Sequence, residues 1–151
     1  MSEATIRTKV GEIIAAATGA ANVHTSPLRI TDETEAVTAF GSGTGGDGRA
    51  LLEGWWDPAA SSDFEAIGRG CSRTDHTFEV VGYRTRNGSL YYGDAMTDAQ
   101  AVVRALAARG EFAPISPSPS LTEAKGTIQP AKLAGLPVWE VTVVFTATEH
   151  E

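Results

Sequence analysis

Three histidines, one cysteine and a scatter of carboxylates are the residues of this chain that could carry chemistry. The histidines are His24, His76 and His150, and none stands in an H-x-x-x-H or H-E-x-x-H arrangement. Cys71 lies five residues before His76, but a structural zinc site takes four ligands and two are missing nearby. Asp75 and His76, with a serine such as Ser72, have the residue types of a hydrolytic triad. Neighbours on a strand point to opposite faces, so that pair is badly placed to share a proton. Gly41, Gly43 and Gly46 match G-x-G-x-x-G. That motif grips pyrophosphate only where a helix opens behind it, and the pattern over 50–56 is that of a strand. No catalytic residue, metal site or cofactor is expected on these grounds.

Asp32, Glu33 and Glu35 form the densest acidic cluster. They lack the D-x-D-x-D-G spacing of a calcium loop and read as a solvated loop. The aromatic pairs say more. Trp55 and Trp56 must straddle a sheet if they lie on a strand, so that one ring can enter the core and the other face solvent or a partner. Tyr91 and Tyr92 pose the same question. With Phe40, these four are the candidate assembly contacts, since exposed aromatics commonly anchor interfaces.

The elements that must position these residues follow from periodicity. Ile6, Val10, Ile13, Ile14 and Ala17 make one apolar stripe, with Ser2 able to cap the helix and Gly19 to end it. A second helix is expected from the capping-box spacing of Thr97 and Gln100, with Asp98 in its first turn and Gly110 after Arg109 as its stop. Strict alternation over 138–148 predicts a strand with Trp139, Val141, Val143, Phe145 and Ala147 on one face. The span 76–84 behaves alike, with Phe78 and Val80 opposed by Thr77, Glu79, Val81 and Tyr83. Further strands are expected over 21–28, 36–40, 50–56 and 126–133. Most are not separated by helices, so the expected fold is α+β: a mostly antiparallel sheet with two helices packed on one face. The glycine-rich run 41–48 reads as a mobile loop, and the Pro/Ser-rich stretch that opens 113–137 as an extended arm.

The 151 residues, 42% hydrophobic, suit a single domain with a real core. The net charge of -7, from 12 Lys+Arg and 19 Asp+Glu, is spread along the chain and offers no basic stripe for gripping nucleic acid. A lone cysteine forms no intrachain disulfide, and no run approaches the ~20 apolar residues of a membrane span. The N-terminal residues show no signal-peptide core, and a soluble protein of a reducing cytoplasm is expected.

The order of segments is similar to that of the tail terminator, or head–tail joining, proteins of long-tailed bacteriophages. An amphipathic helix leads into Asn22-Val23-His24, with Arg29 five residues on. A short strand ends at Phe40, then come Gly54-Trp55-Trp56, the run His76-Thr77-Phe78-Glu79-Val80-Val81-Gly82-Tyr83, a capped helix with Gln100, and the closing strand 138–148. The chain differs at Ser26-Pro27-Leu28, where the family often carries an aromatic. The resemblance implies a non-enzymatic virion protein of the tail or neck, assembled in the host cytoplasm into a homohexameric ring. Its partners would be further copies of itself, the tail tube protein, the head-completion or connector protein, and DNA passing through the lumen without specific binding. No membrane is involved. The segments 41–48 and 113–137 are the candidate assembly arms, and Asp32, Glu33 and Glu35 the candidate lumen acids. Other readings are a head-completion (stopper) protein of the same neck, a ligand-binding or enzyme domain with Trp55, Trp56, Tyr83 and Trp139 around a pocket, and an adaptor whose acidic face docks a basic partner.

Overall fold

The computed structural model describes residues 3–20, 22–25, 28–46, 48–68, 71–107, 120–121 and 124–150. In chain order they build α1 (Glu3–Thr18), β1 (Val23–His24), α2 (Glu33–Phe40), β2 (Gly41–Thr44), β3 (Ala50–Gly68), β4 (Cys71–Thr85), α3 (Tyr92–Ala107), β5 (Ser120–Leu121), β6 (Lys125–Leu133) and β7 (Leu136–His150). The seven strands form one sheet of order β1-β3-β4-β7-β5, with β2 also on β3 and β6 also on β7. Every pairing is antiparallel except that of β1 with β3. This is the expected α+β fold.

Register explains why the alternating strands sit where they do. Phe78 lies opposite Phe145, Val80 opposite Val143 and Gly82 opposite Val141, so the apolar rows of β4 and β7 merge into one face. That face is covered by α1 through Val10, Ile13 and Ile14, and by α3 through Ala95, Ala99, Val102 and Leu106. The spacing in both helices is that of a single apolar stripe. The two helices also pack on each other, as expected of a shared face. The helix α1 ends where expected: Gly19 takes a φ of 69°, and its N–H bonds the Ala15 carbonyl at 2.9 Å.

A second core occupies the reverse face. Phe40, Leu52, Val81, Tyr83 and Val138 are buried together, with Leu28, Ile30 and Trp56 packed against them. Its cover is α2, and here the sequence expectation fails. Residues 36–40 are helical rather than a strand, and the acidic cluster is a helix start rather than a loop. Asp32 has extended backbone, and its carboxylate accepts the Glu35 N–H at 2.8 Å. Glu33 and Glu35 lie in the first turn, where the helix dipole favours negative charge. The buried residues of α2 are Ala36 and Phe40, four apart, which fits a helix and not the pleat of a strand.

Other boundaries move as well. Of the strand expected over 21–28, the described residues that are strand are Val23–His24, while β3 continues to Gly68 and forms a long hairpin with β4. The helix α3 starts at Tyr92, ahead of Thr97, whose hydroxyl donates back to the Gly93 carbonyl at 2.9 Å. Half of the expected mobile loop is strand β2, paired with β3, and Gly45 N–H bonds the Arg49 carbonyl at 2.8 Å to close the turn. Within the expected arm, Lys125–Leu133 is β6 and Leu136–Pro137 opens β7. Ser2, Arg109, Gly110 and the Pro/Ser run 113–119 lie outside the described residues.

Two glycines let the sheet carry large rings on both sides. Trp55 pairs with Gly82 and Gly54 with Tyr83 across β3 and β4. The Trp55 indole lies over Gly82, so that a Cβ there would come within 2.6 Å of its Cε2. On the reverse face Phe40 lies over Gly54, where a Cβ would sit 2.5 Å from its Cδ1. Neither glycine needs a positive φ; what each supplies is room. Gly82→Ala should therefore destabilise the chain by ~1–3 kcal/mol through overpacking, measured by urea unfolding. Gly93→Ala in α3 has open space at its Cβ and should leave stability unchanged or raise it by at most ~1 kcal/mol.

Candidate functional site

The candidate assembly aromatics separate cleanly by burial. Phe40 is 0% and Trp55 2% exposed, so both are core residues of the chain rather than exposed anchors. Trp56 is half-buried on the reverse face, and its Nε1–H donates to the Tyr83 hydroxyl at 3.1 Å. Tyr91 is half-buried with a φ of 66°, the left-handed turn that launches α3. Only Tyr92 presents its ring outward, at 40% exposure.

Tyr92 belongs to an apolar patch at the N-terminal end of α3. Leu90 is 58% exposed and Met96 36%, and Trp139 is half-buried beside them. The patch is held rather than loose. Trp139 Nε1–H donates to the Leu90 carbonyl at 3.1 Å, and the Tyr92 ring meets the Trp139 ring edge-on at 5.0 Å. Arg86 lies 6.0 Å from the Trp139 centroid and donates to the Val138 and Ala131 carbonyls, each at 3.3 Å. The turn is thus tied to β6 and β7, with the Tyr92 ring exposed beside the half-buried Trp139 and Arg86. Tryptophan, tyrosine and arginine are the residue types that dominate binding energy at protein interfaces. Sequence reasoning missed Leu90, Met96 and Arg86. The available signal was Leu90 next to Tyr91-Tyr92, an apolar run outside any periodic segment.

The four aromatics offered as a pocket lining do not converge. Trp55 lies in the helix-face core, Trp139 packs against that core from the surface patch beside Tyr92, and Trp56 and Tyr83 lie in the reverse core. The cleft bordered by Trp55 and Trp56 measures about 10 Å³, room for about one water. A wider open groove of about 360 Å³ runs beside α2, lined by Leu28, Arg29, Ile30, Thr34, Thr38 and others, and none of the four borders it.

The histidines also stand apart. His24 on β1 donates Nε2–H to the Ala39 carbonyl at 2.7 Å and packs edge-on against Phe40 at 5.4 Å, tying β1 to α2. His76 is buried on β4 near Phe78, and His150 closes β7. Cys71 and Ser72 open β4. Asp75 and His76 are consecutive on β4, on opposite faces of the sheet. Of the acidic cluster, Asp32 caps α2 and Glu35 accepts the Thr31 hydroxyl at 2.6 Å, while Glu33 is exposed.

A charge network lies between the sheet and α3. Arg84 on β4 makes a two-pronged bond to Asp98, Nε to Oδ2 at 2.7 Å and the terminal nitrogen to Oδ1 at 3.2 Å. Its other terminal nitrogen stands 3.3 Å from Glu53, the residue opposite it on β3. The Asp98 bond raises the Arg84 guanidinium above its ordinary range, against the effect of burial. Nearby, burial pushes the Tyr83 phenol up, the Trp56 hydrogen bond pulls it down, and Glu140 adds to the rise.

Compared with models of known protein families and with curated protein sequences, the chain matches none.

Asp98→Asn removes the two-pronged partner of Arg84 and leaves it with the charges of Glu53 and Asp94. It should cost about 2 kcal/mol or more, below the roughly 3–5 typical of fully buried pairs because Glu53 remains and Arg84 is partly exposed. Glu12→Gln, in the surface pair with Lys9, should change stability by no more than ~0.5 kcal/mol in the same unfolding assay. Tyr83 is held protonated by the fold, so its contribution is complete below the unfolded phenol value. It is lost as pH rises through the higher folded value. Stability should fall with pH above about 10, and Tyr83→Phe should flatten that alkaline slope.

Proposed function

We propose that this chain is a structural protein of the head–tail junction of a long-tailed bacteriophage, acting as the tail terminator. In this reading identical copies close into a ring, hexameric as in that family. The ring caps the tail tube protein and offers the surface that receives the head-completion or connector protein. DNA passes through the lumen without specific binding, which suits the overall charge of -7. The role is assembly, with no catalysis and no cofactor.

The observation that carries the reading is the unlike character of the surfaces left open. Among the described residues, one lateral edge of the sheet is β6 with β5, the other is β3 with β1 and β2, and an aromatic patch stands at one end of α3. Unlike surfaces make head-to-tail contacts, and such contacts form a ring when the rotation closes. The segment order of the resemblance supports the same reading, with α2 standing where that order has a short strand. Asp32, as a helix cap, is less free to act as a lumen acid than Glu33.

Immunogold labelling of purified virions tests the proposal. Label at the head–tail junction is expected, on the tail side for a terminator and on the head side for a stopper. Virions that carry none of the protein would contradict it.

A further inference from the structure

We infer that copies of this chain join by strand addition, the outer edge of β6 in one copy pairing with the distal half of β3 in the next. Among the described residues, β6 (Lys125–Leu133) is paired only on its β7 side. On the other flank, β1 takes Trp55 and Trp56 and β2 takes the start of β3, which leaves the ladder from Ala59 to Gly68 paired, among the described residues, only with β4. The two open edges match in length: β6 has 9 residues, and the ladder from Ala59 to Gly68 is of the same order. Open edges of this kind are ready templates for another chain.

Direction and charge decide which edges meet. Each step from β3 to β4, β7 and β6 reverses the strand, so β6 runs antiparallel to β3. Copies standing the same way up therefore bring β6 against β3 in antiparallel fashion, which is the arrangement a cyclic assembly needs. The β6 edge carries Lys125 and Lys132 and no acid, while residues 57–68 carry Asp57, Asp63 and Glu65 and no base. A two-fold contact of β6 with β6, or of β3 with β3, sets like charges across the ladder; the mixed contact sets opposite ones. Register places positions 63 and 65 in the rows of Asp75 and Arg73, and position 125 in the row of Glu79 and Val144, an even number of residues away along β4. A joined sheet thus brings positions 63, 65 and 125 to one face, while position 132 lies in a row of the other face.

Height fixes the offset. The lower part of β3 is already covered by β1 and β2, so the incoming β6 must sit about eight residues further along, roughly 26 Å at the rise of a strand. Pro130 removes one donor from β6 and limits the ladder without ending it. The inference rests on the self-assembly in the reading above and not on the virion role.

Mass photometry over a concentration series, joined to hydrogen exchange of the full chain, tests it. The chain should associate with rising concentration, and amides within 59–68 and 125–133 should gain protection as it does. Lys125→Glu should raise the concentration of half-assembly by about five-fold or more, and adding Glu65→Lys should restore it. A chain that stays monomeric, association indifferent to Lys125→Glu, or protection confined to Leu90–Met96 would each overturn the edge pairing. Those outcomes leave the virion labelling to decide the head–tail role by itself.

Discussion

The seating of Trp55 over Gly82 is the constraint on which the rest of the structure depends. An indole laid flat on a strand needs a partner strand with no side chain at that point, and the β3–β4 register supplies one. A slip of one residue would send Trp55 to the reverse face and Trp56 into the helix layer. The same register sets Gly54 beneath Phe40, so one strand alignment permits both cores at once. With Trp55 in place, α1 has a surface to meet through Val10 and Ile14, and α3 continues that layer over Phe78, Val80 and Phe145. The reverse core follows from Phe40, whose ring meets Tyr83 edge-on at 5.1 Å.

The legible parts of the sequence were those with a long, unbroken period. The alternation in β4 and β7 placed Phe78, Val80, Val141, Val143 and Phe145 correctly, because both strands are central and one of their faces is fully covered. Short elements were not legible. Ala36-Val37-Thr38-Ala39-Phe40 has strand-like residue types, yet Asp32 offers a cap and Ala36 and Phe40 share a helical face. Local propensity pointed one way, and the need to cover Leu52, Val81 and Val138 decided otherwise. The start of α3 was hidden for a different reason. It opens after Tyr91 in a left-handed conformation that a tyrosine seldom adopts, and Thr97 offers a better cap signal inside the helix.

The site was harder to read than the fold because its residues are ordinary core residues in sequence. Trp55, Trp56, Phe40 and Tyr92 are all aromatic, and only the packing separates the three that are covered from the one that is not. Arg84 and Asp98 are 14 apart, on different elements, and no local spacing connects them. What the fold adds to the functional proposal is a division of labour. Its faces are largely occupied by helices, and its edges and the end bearing Leu90 and Tyr92 are left for other chains.

The most direct test of this account is the proton spectrum of Gly82 in the folded chain. An indole stacked on the residue shields its α protons, so they should resonate well upfield of unstructured glycine and show cross-relaxation with the Trp55 ring. Trp55→Leu should return them toward ordinary strand positions. Gly82 protons at unshifted positions, with no contact to Trp55, would contradict the register from which the two cores, the edges and the exposed end all follow.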